Sequence, residues 1–287
     1  MSEYLLMQDE SAHSYAAAGE QLAKRCPVCE HANFSPTEER FKLVDILRRW
    51  ETEAGVSFSQ DVWQEYRSSP IQEVTLYHCP ECDFGMFLPA TAGTRSFYKD
   101  ITSEDGQCYS ANKWEFRQAI NDLIRYRCQS VLDVGSGSGY FLDLLREKLP
   151  DVEAAGYEFN EQMSELVSHK GHTVYLGKFP HAILNEQPGK VFDAVCIFQV
   201  LEHVPDPVNF LKQACSVLRP QGLLIVSVPN SVGPIRHFTS ALTEIPPHHI
   251  SRWSEPVFRS GLRRLGLSVL RAAEEPLPNY LWASYLP

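Results

Sequence analysis

Over residues 111–287 the apolar positions switch repeatedly between two periods. Short continuous apolar runs at 130–134, 153–157, 173–176, 192–198 and 223–228 predict strands buried on both faces. Between them, apolar residues three to four apart predict helices over 139–149, 207–218 and 254–265. Trp114, Ala119, Leu123 and Ile124 predict one more helix, packed on the sheet ahead of its first strand. Such alternation predicts an α/β fold, a doubly wound and mostly parallel sheet covered by helices. The last runs, 267–272 and 279–285, predict a closing antiparallel pair.

The pattern before residue 110 is different. Ser35-Pro36-Thr37-Glu38 reads as a capping box with proline at the first helical position, and Phe41, Val44, Leu47 and Trp50 follow at three-residue spacing. That predicts a helix closed by Gly55, then a second short helix over 60–67 carrying Val62, Trp63 and Tyr66 on one side. Val74, Leu76 and Tyr77 predict a strand, and Phe84, Met86 and Phe87 its return. The predicted organisation is a leader over 1–25 with a polar, Ala-rich helical stretch, a cysteine-bearing segment with a helical insertion over 26–96, and the α/β unit over 97–287.

Composition narrows the class. Of 287 residues, 44% are hydrophobic and 22% charged, as in a globular protein. No apolar run approaches the ~20 residues of a membrane span, and MSEYLLMQDE has neither the basic start nor the long apolar stretch of a secretory signal. The expectation is a soluble, cytoplasmic protein. Net charge is −10, placed unevenly: residues 1–110 carry 9 Lys and Arg against 18 Asp and Glu, residues 111–287 carry 17 against 18. An N-terminal third that acidic repels phosphate backbones, which disfavours a nucleic-acid partner.

Four of the eight cysteines form two pairs, Cys26-Pro-Val-Cys29 and Cys79-Pro-Glu-Cys82. In a reducing compartment such pairs read as metal ligands, and two tight Cys-x-x-Cys turns supply the four thiolates of a tetrahedral zinc centre. A closed four-cysteine shell leaves no open position, so the zinc would be structural. Two unrelated redox or packing pairs are the alternative. Cys196 and Cys215 sit in apolar patterns and read as core residues.

The sharpest motif is Val131-Leu132-Asp133-Val134-Gly135-Ser136-Gly137-Ser138-Gly139-Tyr140-Phe141, a strand, three glycines two apart, then a helix. Glycines there allow a sharp turn and let backbone N–H groups approach a ligand closely. A dinucleotide loop would need its third glycine at position 140, which is tyrosine. The Gly-x-Gly-x-Gly form instead resembles motif I of the class I S-adenosylmethionine-dependent methyltransferases. Glu158, at the end of the second strand, matches the acidic residue that holds the ribose hydroxyls in that family. The run Phe192-Asp193 through Leu201-Glu202-His203-Val204-Pro205-Asp206-Pro207 resembles the family's post-strand-four segment. Leu218-Arg219-Pro220-Gln221-Gly222 resembles its Pro-Gly-Gly turn, with Gln221 departing harmlessly from glycine. The resemblance covers about 111–287 and implies a seven-stranded Rossmann-like sheet. It also implies S-adenosyl-L-methionine held by Asp133, Gly135, Ser136, Gly137, Gly139, Glu158, Phe159, Phe179 and Gln199. The acidic residue that many relatives carry after strand three is replaced by Gly177-Lys178-Phe179-Pro180, so adenine is expected to meet backbone and apolar groups near Phe179. With the cysteine ribbon in front, the chain is similar to bacterial sugar and small-molecule methyltransferases of the type 23 kind, which implies a small or nucleotide-sugar acceptor.

A hydroxyl or ammonium acceptor must lose a proton, and histidine suits that role near pH 7. His203 follows the fourth strand, while His248 and His249 lie in Pro246-Pro247-His248-His249-Ile250-Ser251-Arg252-Trp253. These three are the catalytic candidates; for His203 the alternative is a structural histidine capping the next turn. Tyr109 and Lys113 either reach the cofactor mouth or pack between the two segments. Two other functions remain open. One is an RNA methyltransferase using the ribbon for recognition, disfavoured by the acidic segment and by the lack of an Asn-Pro-Pro-Tyr-like motif. The other is a non-catalytic cofactor-binding or docking protein.

Overall fold

A computed structural model describes residues 2–8, 25–101, 113–238 and 240–276. Tyr109, the Ala-rich leader stretch and the expected strand 279–285 lie outside the described residues. The first strand, β1 (Ser2–Gln8), falls in the segment expected to be leader, yet its backbone is a central strand of the main sheet.

The cysteine segment follows as β2 (Ser35–Lys42), α1 (Leu43–Glu53), α2 (Gln60–Ser68), β3 (Glu73–His78), β4 (Gly85–Leu88) and α3 (Arg95–Ile101). The capping-box expectation is overturned. Ser35–Lys42 is an edge strand paired antiparallel with β3, and the helix starts only at Leu43. Alternating exposure along β2 fits the pleat, and Pro36 is tolerated because an edge strand has N–H groups with no ladder partner. Leu43, Ile46, Leu47 and Trp50 bury the inner face of α1, and Gly55 at φ 70° ends it as expected. The short-helix and hairpin expectations agree with α2, β3 and β4.

The α/β unit runs α4 (Trp114–Arg125), β5 (Ser130–Val134), α5 (Tyr140–Lys148), β6 (Glu153–Glu158), α6 (Glu161–His169), β7 (Thr173–Leu176), α7 (His181–Glu186), β8 (Phe192–Phe198), α8 (Pro207–Ser216), β9 (Leu218–Val228), β10 (Ser251–Arg252) and β11 (Leu267–Glu274). The seven-stranded sheet has the order β11-β1-β9-β8-β5-β6-β7. β7, β6, β5, β8 and β9 pair in parallel, while β1 lies antiparallel to both β9 and β11. In register, Leu132, Val195 and Leu224 form one row across the centre, and Val134, Ile197 and Val226 the next, all fully buried. The chain leaves β5 toward β6 and β7, then returns to the other side as β8. The carboxyl ends of β5 and β8 therefore flank a topological switch point, where open α/β sheets bind ligands.

Two expectations in this half are corrected. The stretch 254–265 is not a regular helix but a single π turn, Val257–Gly261, running into a 3-10 turn, Leu262–Leu265. The Pro-Gly-Gly-like turn lies within β9 with Gln221 at φ 59°, so its departure from glycine is not harmless. A side chain in the left-handed region costs about 1 kcal/mol. Gln221→Gly is expected to stabilise the fold by about 0.5–1 kcal/mol and raise Tm by about 1–3 °C in a thermal melt.

The smaller sheet has the order β10-β4-β3-β2, and its β10 comes from the α/β half. Arg252 of β10 makes a bidentate pair with Glu39 at 2.9 and 2.8 Å and lies over the Phe87 ring. Ser254 donates to Asp83 at 2.6 Å, and Trp253 packs edge-on against Phe84. The cysteine-bearing sheet is thus stitched to the segment that carries the paired histidines.

Candidate active site

The glycine loop leaves β5 in a conformation that requires its sequence. Gly135, Gly137 and Gly139 take φ values of 80°, 51° and 77°. A Cβ on Gly135 would lie 2.5 Å from Val200 Cγ2, and one on Gly139 3.1 Å from Val167 Cγ2. Glu158, 4% exposed at the end of β6, faces the loop: the Gly137 N–H donates to one carboxylate oxygen at 2.8 Å and the Asn160 N–H to the other at 2.9 Å. Burial raises the Glu158 pKa, opposed by those N–H groups. Asp133, fully enclosed beneath the loop, is pushed up to about 7 by burial, with Lys113 acting against the shift. The Ser136 hydroxyl is buried with no hydrogen-bond partner among the described residues. Gly156 of β6 makes room for it, since a Cβ there would stand 2.8 Å from the Ser136 oxygen. An orphaned hydroxyl, a bent N–H-lined loop and an acid with lone pairs to spare fit a nucleoside-bearing cofactor.

His203 and the adjacent pair His248 and His249, which begins 45 residues later, come together beyond β8. Ring centroids are 4.9 Å apart for His203 and His248, 4.7 Å for His203 and His249, and 4.6 Å for His248 and His249. The His203 Nδ1–H donates to the His248 carbonyl at 2.6 Å, and the Tyr98 hydroxyl donates to the same carbonyl at 3.3 Å. Beneath them lies Glu202, 1% exposed, with neither carboxylate oxygen hydrogen-bonded among the described residues. Burial pushes Glu202 up to about 7, holds His203 well below its usual value and lowers His248 to about 3. His203 and His248 are therefore neutral near pH 7. A narrow cleft beside them is lined by Ser231, Arg236, Glu244, His249 and Arg252.

The four cysteines also meet. Their sulfurs all lie within 4.8 Å of one another, with 3.6 Å between Cys26 and Cys82 and 3.5 Å between Cys29 and Cys79. The turns are built alike: Glu30 N–H donates to the Cys26 carbonyl at 2.8 Å and Asp83 N–H to the Cys79 carbonyl at 2.9 Å, with Glu30 and Asp83 at φ 63° and 69°. Cys26 is drawn down to about 6 by hydrogen bonding from Cys82, whereas burial raises Cys29 to about 11. Four such sulfurs become thiolates together only around a cation, so the donor set fits a soft metal ion.

Most predicted positions assemble. Asp133, Gly135, Ser136, Gly137, Gly139 and Glu158 share the loop, and Phe159 stands beside it 53% exposed. Two differ in setting. Phe179 is buried between Tyr157 and Phe210, with ring centroids 4.9 and 5.4 Å away, so its ring belongs to the core. Gln199 spends its amide on the Ser227 hydroxyl at 2.7 Å. Sequence reasoning missed Tyr98, Gly156, Glu202 and Glu244. Only Glu202 carried a signal, an acid between Leu201 and His203 in an apolar run.

Fold and loop together define a Rossmann-like α/β protein with a cofactor site at its switch point. Residues 99–272 match the family model described as "Methyltransferase domain", and the chain belongs to that family. A protein of Mycobacterium tuberculosis (strain H37Rv) named "Probable S-adenosylmethionine-dependent methyltransferase" is 33% identical over 126 residues, 42% of this chain and 44% of that protein. A "Ubiquinone biosynthesis O-methyltransferase" of Albidiferax ferrireducens is 30% identical over 115 residues, covering 39% and 45%. The chain spans about half the length of the curated relatives it matches. Among solved structures, a SAM-dependent methyltransferase from Archaeoglobus fulgidus is 25% identical with TM-score 0.42, covering 53% of this chain and 68% of that one. The sugar N-methyltransferase KedS8 from Streptoalloteichus sp is 24% identical with TM-score 0.39, covering 50% and 61%. Among the described residues no helix is long and apolar enough to cross a membrane.

Proposed function

We propose that the protein transfers a methyl group from S-adenosyl-L-methionine to a small-molecule or carbohydrate-type acceptor, with a structural zinc ion held by Cys26, Cys29, Cys79 and Cys82. The observation that carries the reading is the glycine loop joined to Glu158 at the switch point, within a chain of the methyltransferase family. When bound, the cofactor supplies an electrophilic methyl on a sulfonium. The loop and Glu158 would hold its ribose, Phe159 would cover the adenine, and Lys113 would moderate the buried charge of Asp133. An acceptor would receive that methyl group, and this chain's part would be to align acceptor and cofactor and to take up the acceptor's proton. The acceptor's proton would leave toward the histidine cluster, of which His249 lines the cleft. Alignment of acceptor, methyl and sulfur can contribute ~7–11 kcal/mol and proton removal ~10²–10⁴-fold. The acidic first 110 residues favour a small acceptor over a nucleic acid.

Calorimetric titration with S-adenosylhomocysteine tests the cofactor site. Glu158→Gln keeps an acceptor for the loop N–H but loses the charge, and is expected to weaken binding about tenfold or more while melting near the wild type. No binding to the folded wild-type protein would remove the methyl-transfer reading and leave the docking alternative.

A further inference from the structure

We infer that Glu202, His203 and His249, with His248 alongside, form a binding site for a divalent transition-metal ion, separate from the four-cysteine centre. One histidine Nδ1 or Nε2 from each of residues 203, 248 and 249 lies within 4.8 Å of the other two. The details go beyond proximity. His203 Nε2 and His249 Nε2 each lie 3.9 Å from the same oxygen, Glu202 Oε1. Ligands on a zinc-sized ion with bonds of about 2.1 Å stand about 3.4 Å apart, slightly closer than these. An inward movement of about 0.5 Å would close the shell.

The second ring nitrogens of His203 and His249 are directed as metal-binding imidazoles require. A ligating histidine donates its second ring N–H to a carbonyl or carboxylate, which fixes the tautomer and aims the lone pair at the metal. His203 Nδ1–H donates to the His248 carbonyl at 2.6 Å. His249 Nδ1 faces the Glu244 carboxylate at 3.5 Å. Both Nε2 lone pairs are thereby turned to Glu202. That carboxylate is 1% exposed, and both of its oxygens lack hydrogen bonds among the described residues. A buried carboxylate with no donor is costly unless a cation or a proton answers it. Two imidazoles and one carboxylate suit zinc, iron or cobalt rather than magnesium or calcium, which want oxygen ligands.

Three protein ligands leave positions open, as in catalytic rather than structural metal sites. His249 and Glu244 also line the cleft with Ser231 and Arg236, so the His249 side of the site borders that cleft. A hydroxyl bound there becomes a stronger acid. This last consequence rests on the methyl-transfer reading; the site itself does not.

The test is cobalt(II) loading of the metal-stripped full-length chain, read by metal analysis and visible spectroscopy. Two equivalents are expected, one with intense thiolate-to-cobalt charge transfer and one without. Glu202→Gln and His249→Gln should each abolish only the equivalent without charge transfer, with circular dichroism and S-adenosylhomocysteine binding retained. Cys79→Ser should abolish the thiolate-to-cobalt charge transfer. If all bound cobalt shows thiolate charge transfer, or if the second equivalent survives both substitutions at the cluster, the site does not exist and Glu202 is answered by a proton. Because cofactor binding is measured separately, failure of the metal site and failure of the methyl-transfer reading give different results.

Discussion

Cys79→Ser, or exhaustive chelation, is expected to reduce turnover about 100-fold or more while leaving S-adenosylhomocysteine affinity within about threefold of wild type. The asymmetry follows from which strands carry which site. The cofactor loop is built by β5, β6 and β8 of the large sheet, and among the described residues none of its hydrogen bonds involves the cysteine segment. The histidine loop is held from the small sheet. Phe87 N–H donates to the Ile250 carbonyl at 2.9 Å, Gly93 N–H to the Pro247 carbonyl at 2.6 Å, and Ile250 N–H to the Glu202 carbonyl at 2.9 Å. β4 and β10 then carry that order through Met86 and Ser251. Structural zinc contributes roughly 10–16 kcal/mol to small metal-folded units, more than a segment of this size derives from its core. Loss of the proposed metal would therefore loosen β3 and β4, and with them the residues from Pro246 to Trp253. Hydrogen exchange should rise over 26–101 and 245–254 and remain low over 130–160. Full turnover by metal-free protein would mean that the ribbon does not position the histidines.

The second large effect is at Gly135. Alanine there must accept φ 80° and a Cβ 2.5 Å from Val200 Cγ2. Backbone strain of about 1 kcal/mol and overpacking of about 1–3 kcal/mol both fall on the turn that would meet the cofactor. Gly135→Ala is expected to weaken S-adenosylhomocysteine about 30- to 1000-fold in the same titration. Adding Val200→Ala removes the facing methyl groups and should recover about tenfold, leaving the backbone strain. Undiminished binding by the single variant would show that the loop does not cradle the cofactor.

Much of the α/β half was legible because its strands are buried on both faces. Phe192–Phe198 and Ser130–Val134 are mostly apolar stretches, interrupted by Asp193 and Asp133, and are followed by turn residues. Ser35–Lys42 was misread for the opposite reason. Its Ser-Pro-Thr-Glu start satisfies a local helix rule, but pairing with β3 satisfies more backbone groups than a first helical turn would. β1 was unreadable as a core strand because its neighbours, β9 and β11, lie more than 200 residues away.

The residue order by itself determined the parallel strands, the glycine loop and each Cys-x-x-Cys turn, which depend on spacing within a few residues or on a period that burial enforces. Only the tertiary structure decided that Glu202 lies beneath three histidines with neither oxygen hydrogen-bonded among the described residues, that Glu244 backs His249, and that Phe179 is core. These depend on which loops meet at the carboxyl ends of β8 and β9, and a carboxylate's partners are set by burial and packing between segments far apart in the chain. The joining of β10 to β4 is of the same kind. Two residues of strand carry no periodic signal, yet they tie the cysteine ribbon to the histidines, because backbone groups left at a sheet edge take whichever partner the packed fold brings near.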